Sequence, residues 1–279
     1  MSEINEDYPS DTGDDRFSEE AIRVDNTRSV LAASETKKVA KLKLELLRVG
    51  ALTARGQFAT ASERGRVEDI IYELEQRTPI LDTSTSRELE GRWALVYGSE
   101  DASRSSPFFW AFRKATKGIE DPRPNQDGSI SAAIFAITDS IPGKSIGEAV
   151  QTITNTEIRS EVEVFAGASA GTSQGPLSFP SFRSVMTTTS EVVVAEGMDT
   201  TLSVTKTQVR KSAIGKLLEP IFNLDNVEFS TARVLSPFRK EGSNEVVMTT
   251  TFLDHAMRVS RNEEGQIFVF VREDDSELP

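Results

Sequence analysis

Leu89-Glu90-Gly91-Arg92-Trp93-Ala94-Leu95-Val96-Tyr97-Gly98-Ser99, taken with Thr250-Thr251-Phe252-Leu253-Asp254-His255-Ala256-Met257-Arg258-Val259-Ser260-Arg261, decides the fold class of this chain. The first stretch reads as a strand opening on Gly-x-Trp, with Trp93, Leu95 and Tyr97 on one face by period-two spacing. The second reads as a late strand carrying Arg258 and Arg261. Gly91 lets the backbone pass close, the indole of Trp93 offers a broad π-face, and a guanidinium from Arg258 or Arg261 stacks on it. Such a clamp closes one end of a small antiparallel barrel. Its first role is closure, since a stacked cation contributes on the order of 0.5–2 kcal/mol depending on desolvation.

The surrounding pattern agrees. Residues 1–30 are polar, acidic and aperiodic and read as a disordered tail. Residues 31–80 form a helical lead-in of two short amphipathic helices joined through Gly50–Gln57. In the first, Val39, Leu42, Leu46 and Val49 recur at helical spacing. In the second, Thr60-Ala61-Ser62-Glu63 has capping-box spacing, Val67, Ile70, Ile71 and Leu74 form one stripe, and Pro79 follows the end. Residues 81–275 are expected to form the barrel, and from Leu89 onward the period is two. Strands are expected at Leu89–Ser99, Ser129–Thr138, a long Val150–Phe165, Ser181–Val194, Thr200–Arg210, Glu245–Val259 and Gln266–Arg272. Gly167–Pro180 and Ser236–Asn244 read as breaks, and Ile214, Leu217, Leu218 and Ile221 as a helical turn or two. The fold class is mainly β, a closed antiparallel barrel, with a β-sandwich as the alternative.

Composition narrows the function. Residues 1–25 hold nine carboxylates against Arg16 and Arg23, a net of −7 out of the −12 for all 279 residues. The remainder is mildly acidic and lacks the concentrated basic face that nucleic acid requires. There is no cysteine and a single histidine, His255, so thiolate sites, imidazole-rich metal sites and most Ser-His arrangements drop out. No apolar run approaches the roughly 18–20 residues of a bilayer span. The acidic amino terminus resembles neither a secretory signal nor a transit peptide, so any targeting segment is expected to have been removed or replaced by another address.

Most local motifs have structural readings. Gly143-Lys144-Ser145 lacks the glycine of a phosphate loop, Thr138 standing in its place. Gly167–Gly175 lacks dinucleotide spacing. Asp254-His255 has no partner nucleophile, and Glu157, Glu161 and Glu163 share a face with Arg159, as on a solvated outer wall. Ser106-Pro107-Phe108-Phe109-Trp110-Ala111-Phe112-Arg113-Lys114 is different. It reads as a capped helix with four aromatics in five residues. It is either an aromatic lid or lipid wedge with cations at headgroup level, or a plug in the barrel end.

These residues together resemble the plastid lipid-associated protein family, also called fibrillins. Leu46–Leu74 resembles its helical lead-in, with Thr53-Ala54-Arg55-Gly56 and Ala61-Ser62-Glu63-Arg64. Leu89–Ser99 resembles its Leu-x-Gly-x-Trp-x-Leu-x-Tyr strand. Thr251–Val271 resembles its closing Leu-Asp-x-x-x-Arg-x-Ser-Arg segment and last strand. His255, Ala256 and Asn262-Glu263 depart from the pattern at turns. Phe108–Phe112 is similar to one branch of the family. The resemblance implies a lipocalin-like barrel spanning about residues 40–272, in chloroplasts at plastoglobules or thylakoids, holding prenylquinones, carotenoids or similar apolar lipids. It also implies peripheral contact with a membrane or lipid-droplet surface, and contact with a plastid enzyme or photosynthetic complex.

The expected lipid-facing residues are Trp93, Tyr97, Phe108, Phe109, Trp110, Phe112 and Phe135; the clamp is Gly91, Trp93, Arg258 and Arg261. No catalytic residue, metal or cofactor is expected beyond a bound apolar lipid. A rival reading is a coat or docking protein with its barrel packed solid. A further rival, an enzyme on the same barrel, needs acid–base groups inside the cavity, and strand parity leaves most carboxylates outside.

Overall fold

The computed structural model describes residues 15–119, 132, 135, 144–166, 182–210, 228–230, 242 and 244–273. Eight antiparallel strands run β1 (Gly91–Gly98), β2 (Ser145–Ile153), β3 (Glu157–Ala166), β4 (Phe182–Glu196), β5 (Asp199–Arg210), β7 (Glu245–Leu253), β8 (Met257–Asn262) and β9 (Ile267–Arg272). Each pairs with the next, and β9 returns to β1, closing an up-and-down barrel. Closure satisfies every strand edge and rules out the sandwich. A short β6 (Glu228–Ser230) pairs with the far half of β5.

Two expected strands are hairpins. Val150–Phe165 folds at Thr154-Asn155-Thr156, where Thr154 Oγ1 accepts the Glu157 N–H at 3.0 Å and the Thr154 N–H reaches the Glu157 carbonyl at 2.9 Å. The turn resets parity. Ala149, Gln151 and Ile153 face inward on β2, whereas Ile158, Ser160 and Val162 do so on β3. Glu245–Val259 likewise folds at Asp254, whose Oδ1 accepts the N–H groups of Ala256 and Met257 at 3.0 and 2.9 Å. Asp254 is thus a turn former beside an exposed His255, and a threonine- or aspartate-stabilised turn leaves period-two alternation unbroken in sequence. Ala132 and Phe135 are helical, which corrects the strand expected at Ser129–Thr138; an apolar run of that length suits either period. The expected breaks at Gly167–Pro180 and the turn around Ile214–Ile221 lie outside the described residues.

Helix α1 (Asp15–Leu52) is far longer than expected and begins inside the stretch read as a disordered tail. Asp15 to Val49 contains neither proline nor glycine, so nothing in the backbone stops the helix. Residues to Glu45 form a unit of their own. In the second unit, the end of α1 packs tightly on the barrel, since a Cβ on Gly50 would stand 2.3 Å from the Val96 carbonyl oxygen. Helix α2 (Ala61–Glu75) has the expected capping box: Thr60 Oγ1 accepts the Glu63 N–H and Glu63 Oε2 accepts the Thr60 N–H, at 3.2 and 2.8 Å. Its stripe Val67, Ile70, Ile71 and Leu74 is fully buried.

That stripe meets the outside of the barrel. A bulge on β1 sets Leu95 opposite Phe270 but Tyr97 opposite Val269. Phe252 and Val259 pair across β7 and β8, and Val259 pairs with Val269. Tyr97, Val269, Val259 and Phe252 therefore form one buried row on the outer wall beneath the helices. Tyr97 is consequently not part of the interior lining expected for it, and burial beneath α2 raises its phenol pKa. The bulge reverses the face of every residue beyond it, which period-two reading cannot anticipate.

The outer layer has a direct test. Leu74→Ala should cost about 2–5 kcal/mol in urea unfolding, because it opens a cavity in a sealed interface. Tyr72→Ala, on the exposed side of the same helix, should change stability by less than about 0.5 kcal/mol.

Candidate functional site

The closed end is built around Trp93. Its indole N–H donates to the Leu89 carbonyl at 2.9 Å, fixing the ring inside the barrel. Two guanidinium groups flank it, Arg272 with Cζ 4.3 Å and Arg258 with Cζ 5.4 Å from the ring centroid. Arg272 donates to the carbonyls of His255 and Glu90, each at 2.7 Å, and to that of Glu88. It thereby ties the last strand to the segment crossing the barrel end. Gly91 is required here. Its φ is +122°, and a Cβ would lie 2.5 Å from the Arg272 Nη1.

Arg258 performs the expected stacking from within the barrel. Its side chain is fully buried, 3.8 Å above Phe270, with hydrogen bonds to Gln151 Oε1 and, at 3.0 Å, to Ser260 Oγ. No carboxylate is among these partners, and its Nε has none. Desolvation, with Arg272 nearby, lowers its pKa to about 9. The group is therefore protonated at neutral pH and folding bears its desolvation. Because the unfolded chain holds that proton more tightly, this group's contribution to stability rises with pH above about 9.

Arg261 is not part of the clamp. It points outward to Glu75 on α2, Nη2 to Oε1 at 3.0 Å, because it is three residues from Arg258 and so on the opposite face of β8. Arg272 was legible as the alternative: period two from Phe268 and Phe270 sets it on the inward face, opposite Trp93.

The other end is stoppered by α3 (Pro107–Thr116). Ser106 caps it, and its Oγ donates to Thr188 Oγ1 at 2.8 Å on the inner wall. Trp110, Ala111, Phe112 and Ala115 are buried in the interior cluster with Trp93, Leu95, Phe268 and Phe270. Trp110 lies against Phe268, centroids 5.4 Å apart, and its indole donates to the Arg104 carbonyl at 3.0 Å. Phe109 and Phe112 meet Phe135 edge-on at 5.8 and 6.1 Å, and Phe108 stacks on Phe112. Arg104 and Arg113 sit over the Phe135 ring at 4.4 and 4.9 Å. Of the two readings left open for this segment, the plug describes the geometry.

Of the cations expected at headgroup level, Arg113, Lys114 and Lys117, the first two are paired within the protein and Lys117 is exposed. Arg113 bonds Glu100 and, at 2.8 Å, Glu264; Lys114 bonds Glu263 at 3.1 Å and the Glu245 carbonyl at 2.8 Å. Burial outweighs Arg113 and raises the Glu100 pKa. Burial also pushes the Asp101 carboxyl up, but bonds from Ser103 and Lys144 outweigh it and hold it low. Asn262-Glu263-Glu264-Gly265, read in sequence as a plain turn, is the latch for α3. On the outer wall Arg92 is paired with Glu148, Glu161 and Glu273, as a solvated carboxylate face requires.

Beside Leu89, whose carbonyl holds the Trp93 indole, lies a cleft of about 240 Å³, lined by Ser84, Leu89, Ile153, Ile158, Val192 and Thr200 among others. Among the described residues, no three histidine or acidic side chains are grouped as a metal site would need.

The family model PAP_fibrillin matches residues 40–120 and 128–271, which takes in the end of α1, all of α2 and α3, and the barrel strands up to the last residue but one of β9. The chain belongs to the PAP/fibrillin family. No curated protein and no solved structure gives a match. Membership carries plastid association and a lipid-associated character with it. The matched segments contain Gly91, Trp93 and Arg258 of the clamp and the whole of α3, and Arg272 lies one residue past the match.

The clamp predicts a graded series. Gly91→Ala should destabilise by more than about 1 kcal/mol, from the strained φ and the collision with Arg272. Arg261→Ala, at a half-exposed ion pair, should cost less than about 1 kcal/mol. Arg258→Met keeps the volume and removes the unpaired charge, so it should unfold within about 1 kcal/mol of wild type, whereas Arg258→Ala should cost about 3 kcal/mol or more. Denaturant midpoints at neutral pH check all four.

Proposed function

We propose that this chain is a non-catalytic lipid-binding protein of the plastid that holds or presents an apolar lipid, such as a prenylquinone or carotenoid, at plastoglobule or thylakoid surfaces. One observation carries the reading beyond the family's general association. Ser160 and Ser190 face the barrel interior, are buried, and their hydroxyls lack partners. A barrel packed solid gains nothing from them, since each uncompensated hydroxyl costs about 1–3 kcal/mol. In a carrier they are neutral hydrogen-bonding points along an apolar tunnel, a combination that suits a lipid with sparse oxygens. Trp93, Phe108, Phe109, Trp110, Phe112 and Phe135 supply the aromatic wall, and α3 with its acidic latch is the stopper.

A second reading, a coat or docking protein for a lipid droplet, membrane complex or prenyl-lipid enzyme, is favoured by the way α3 and Phe135 occupy the mouth. The two separate in one experiment. Protein incubated with a plastid lipid extract and recovered by gel filtration should carry about one apolar lipid per chain in a native mass spectrum. Flotation with liposomes without lipid uptake would instead establish the coat.

A further inference from the structure

The cleft at the Trp93 end has the features of a headgroup site, and it lies at the opposite end from the α3 stopper. Its floor is apolar: Leu89, Ile153, Ile158 and Val192. Two lining side chains, Ser84 and Thr200, have buried hydroxyls without a partner. Thr200 is 2% exposed and is paired through the backbone with Met248, which touches Arg258 at 3.7 Å. Ser84 is pinned to the β4–β5 hairpin by its N–H to the Gly197 carbonyl at 3.1 Å, and neighbouring Thr83 by its hydroxyl to the Thr250 carbonyl at 2.7 Å. Both orphan hydroxyls are thus held on backbone tied into the barrel, as recognition groups need to be.

The chain flanking the cleft is unusually greasy for surface. Leu81, three residues before Ser84, is 75% exposed, and Val193 and Val194, between the lining residues Val192 and Ala195, are each 51% exposed. We infer that this cleft binds the compact, uncharged, oxygen-bearing head of an amphiphile such as a quinone or phenol ring, with Thr200 and Ser84 as its hydrogen-bonding partners and Leu81, Val193 and Val194 as an apolar rim for the tail. This rests on the lipid-binding reading above and adds where, and by which chemistry, the ligand is recognised. A lipid phosphate or carboxylate fits badly, because the charged member of the lining is Glu90, an acid. The volume, below the roughly 300–1,000 Å³ of sites that enclose whole ligands, suits a head alone.

The test uses the full chain in equilibrium dialysis with two probes, a decyl-substituted benzoquinone and the hydrocarbon diphenylhexatriene. Thr200→Val removes the hydroxyl at constant shape. It should weaken benzoquinone binding about tenfold, the worth of one hydrogen bond to a buried partner, and leave diphenylhexatriene unchanged. Its melting temperature should be unchanged or higher, since the free protein loses an orphan polar group, and this separates recognition from a structural role. Ala195→Trp, at a half-exposed lining position, should fill the cleft and abolish benzoquinone binding. Wild-type affinity for benzoquinone in either variant would overturn the inference while leaving the carrier intact. Failure of the wild-type protein to bind either probe would overturn the carrier and the inference with it.

Discussion

The structure depends on how one indole is held. Trp93 sits at the end of a curled sheet, its N–H spent on the Leu89 carbonyl and two guanidinium groups against its ring. Arg272 binds three carbonyls from two chain segments, so it acts as a rivet between the first and last strands of the barrel and the crossing segment before them. Arg258 does the reverse: it brings a charge into the interior without an anion to meet it. A planar, delocalised cation tolerates this better than an ammonium, because its weak hydration and its stacking on Phe270 recover part of the desolvation.

From that end the interior is graded. Next to the clamp, Gln151, Ser160, Thr188 and Thr207 form a polar belt across β2, β3, β4 and β5, with Ser106 of the plug joined to it through Thr188. Beyond the belt the aromatic rings of α3 take over. The fold therefore uses neutral hydroxyls midway and aromatics at one end, with the buried Arg258 charge at the other.

The latch deserves comparison with the clamp. Arg113 and Lys114 are held by Glu100, Glu263 and Glu264; the Arg113–Glu100 pair is largely buried and little screened, whereas Lys114–Glu263 is exposed to screening by salt. The clamp is sealed by carbonyl bonds and cation–π contacts, with an ion pair from Arg272 to Glu88 at 3.7 Å beside them.

Much of this was legible in residues alone. Alternation from Leu89 onward implied a barrel, Thr60 and Glu63 marked the start of α2, Ser106-Pro107 marked α3, and Gly91, Trp93 and Arg258 announced the clamp, because each rests on local stereochemistry or on a spacing that a strand or helix imposes. The tertiary structure alone decided the rest. Two turns stabilised by Thr154 and Asp254 hid inside unbroken alternation. The bulge after Leu95 turned Tyr97 outward. Arg261 went to a helix and Arg272 took its place, and the cations after Trp110 found acids about 150 residues away. Parity, register and charge pairing across the barrel are set by which strands meet, and that choice belongs to the closed sheet as a whole.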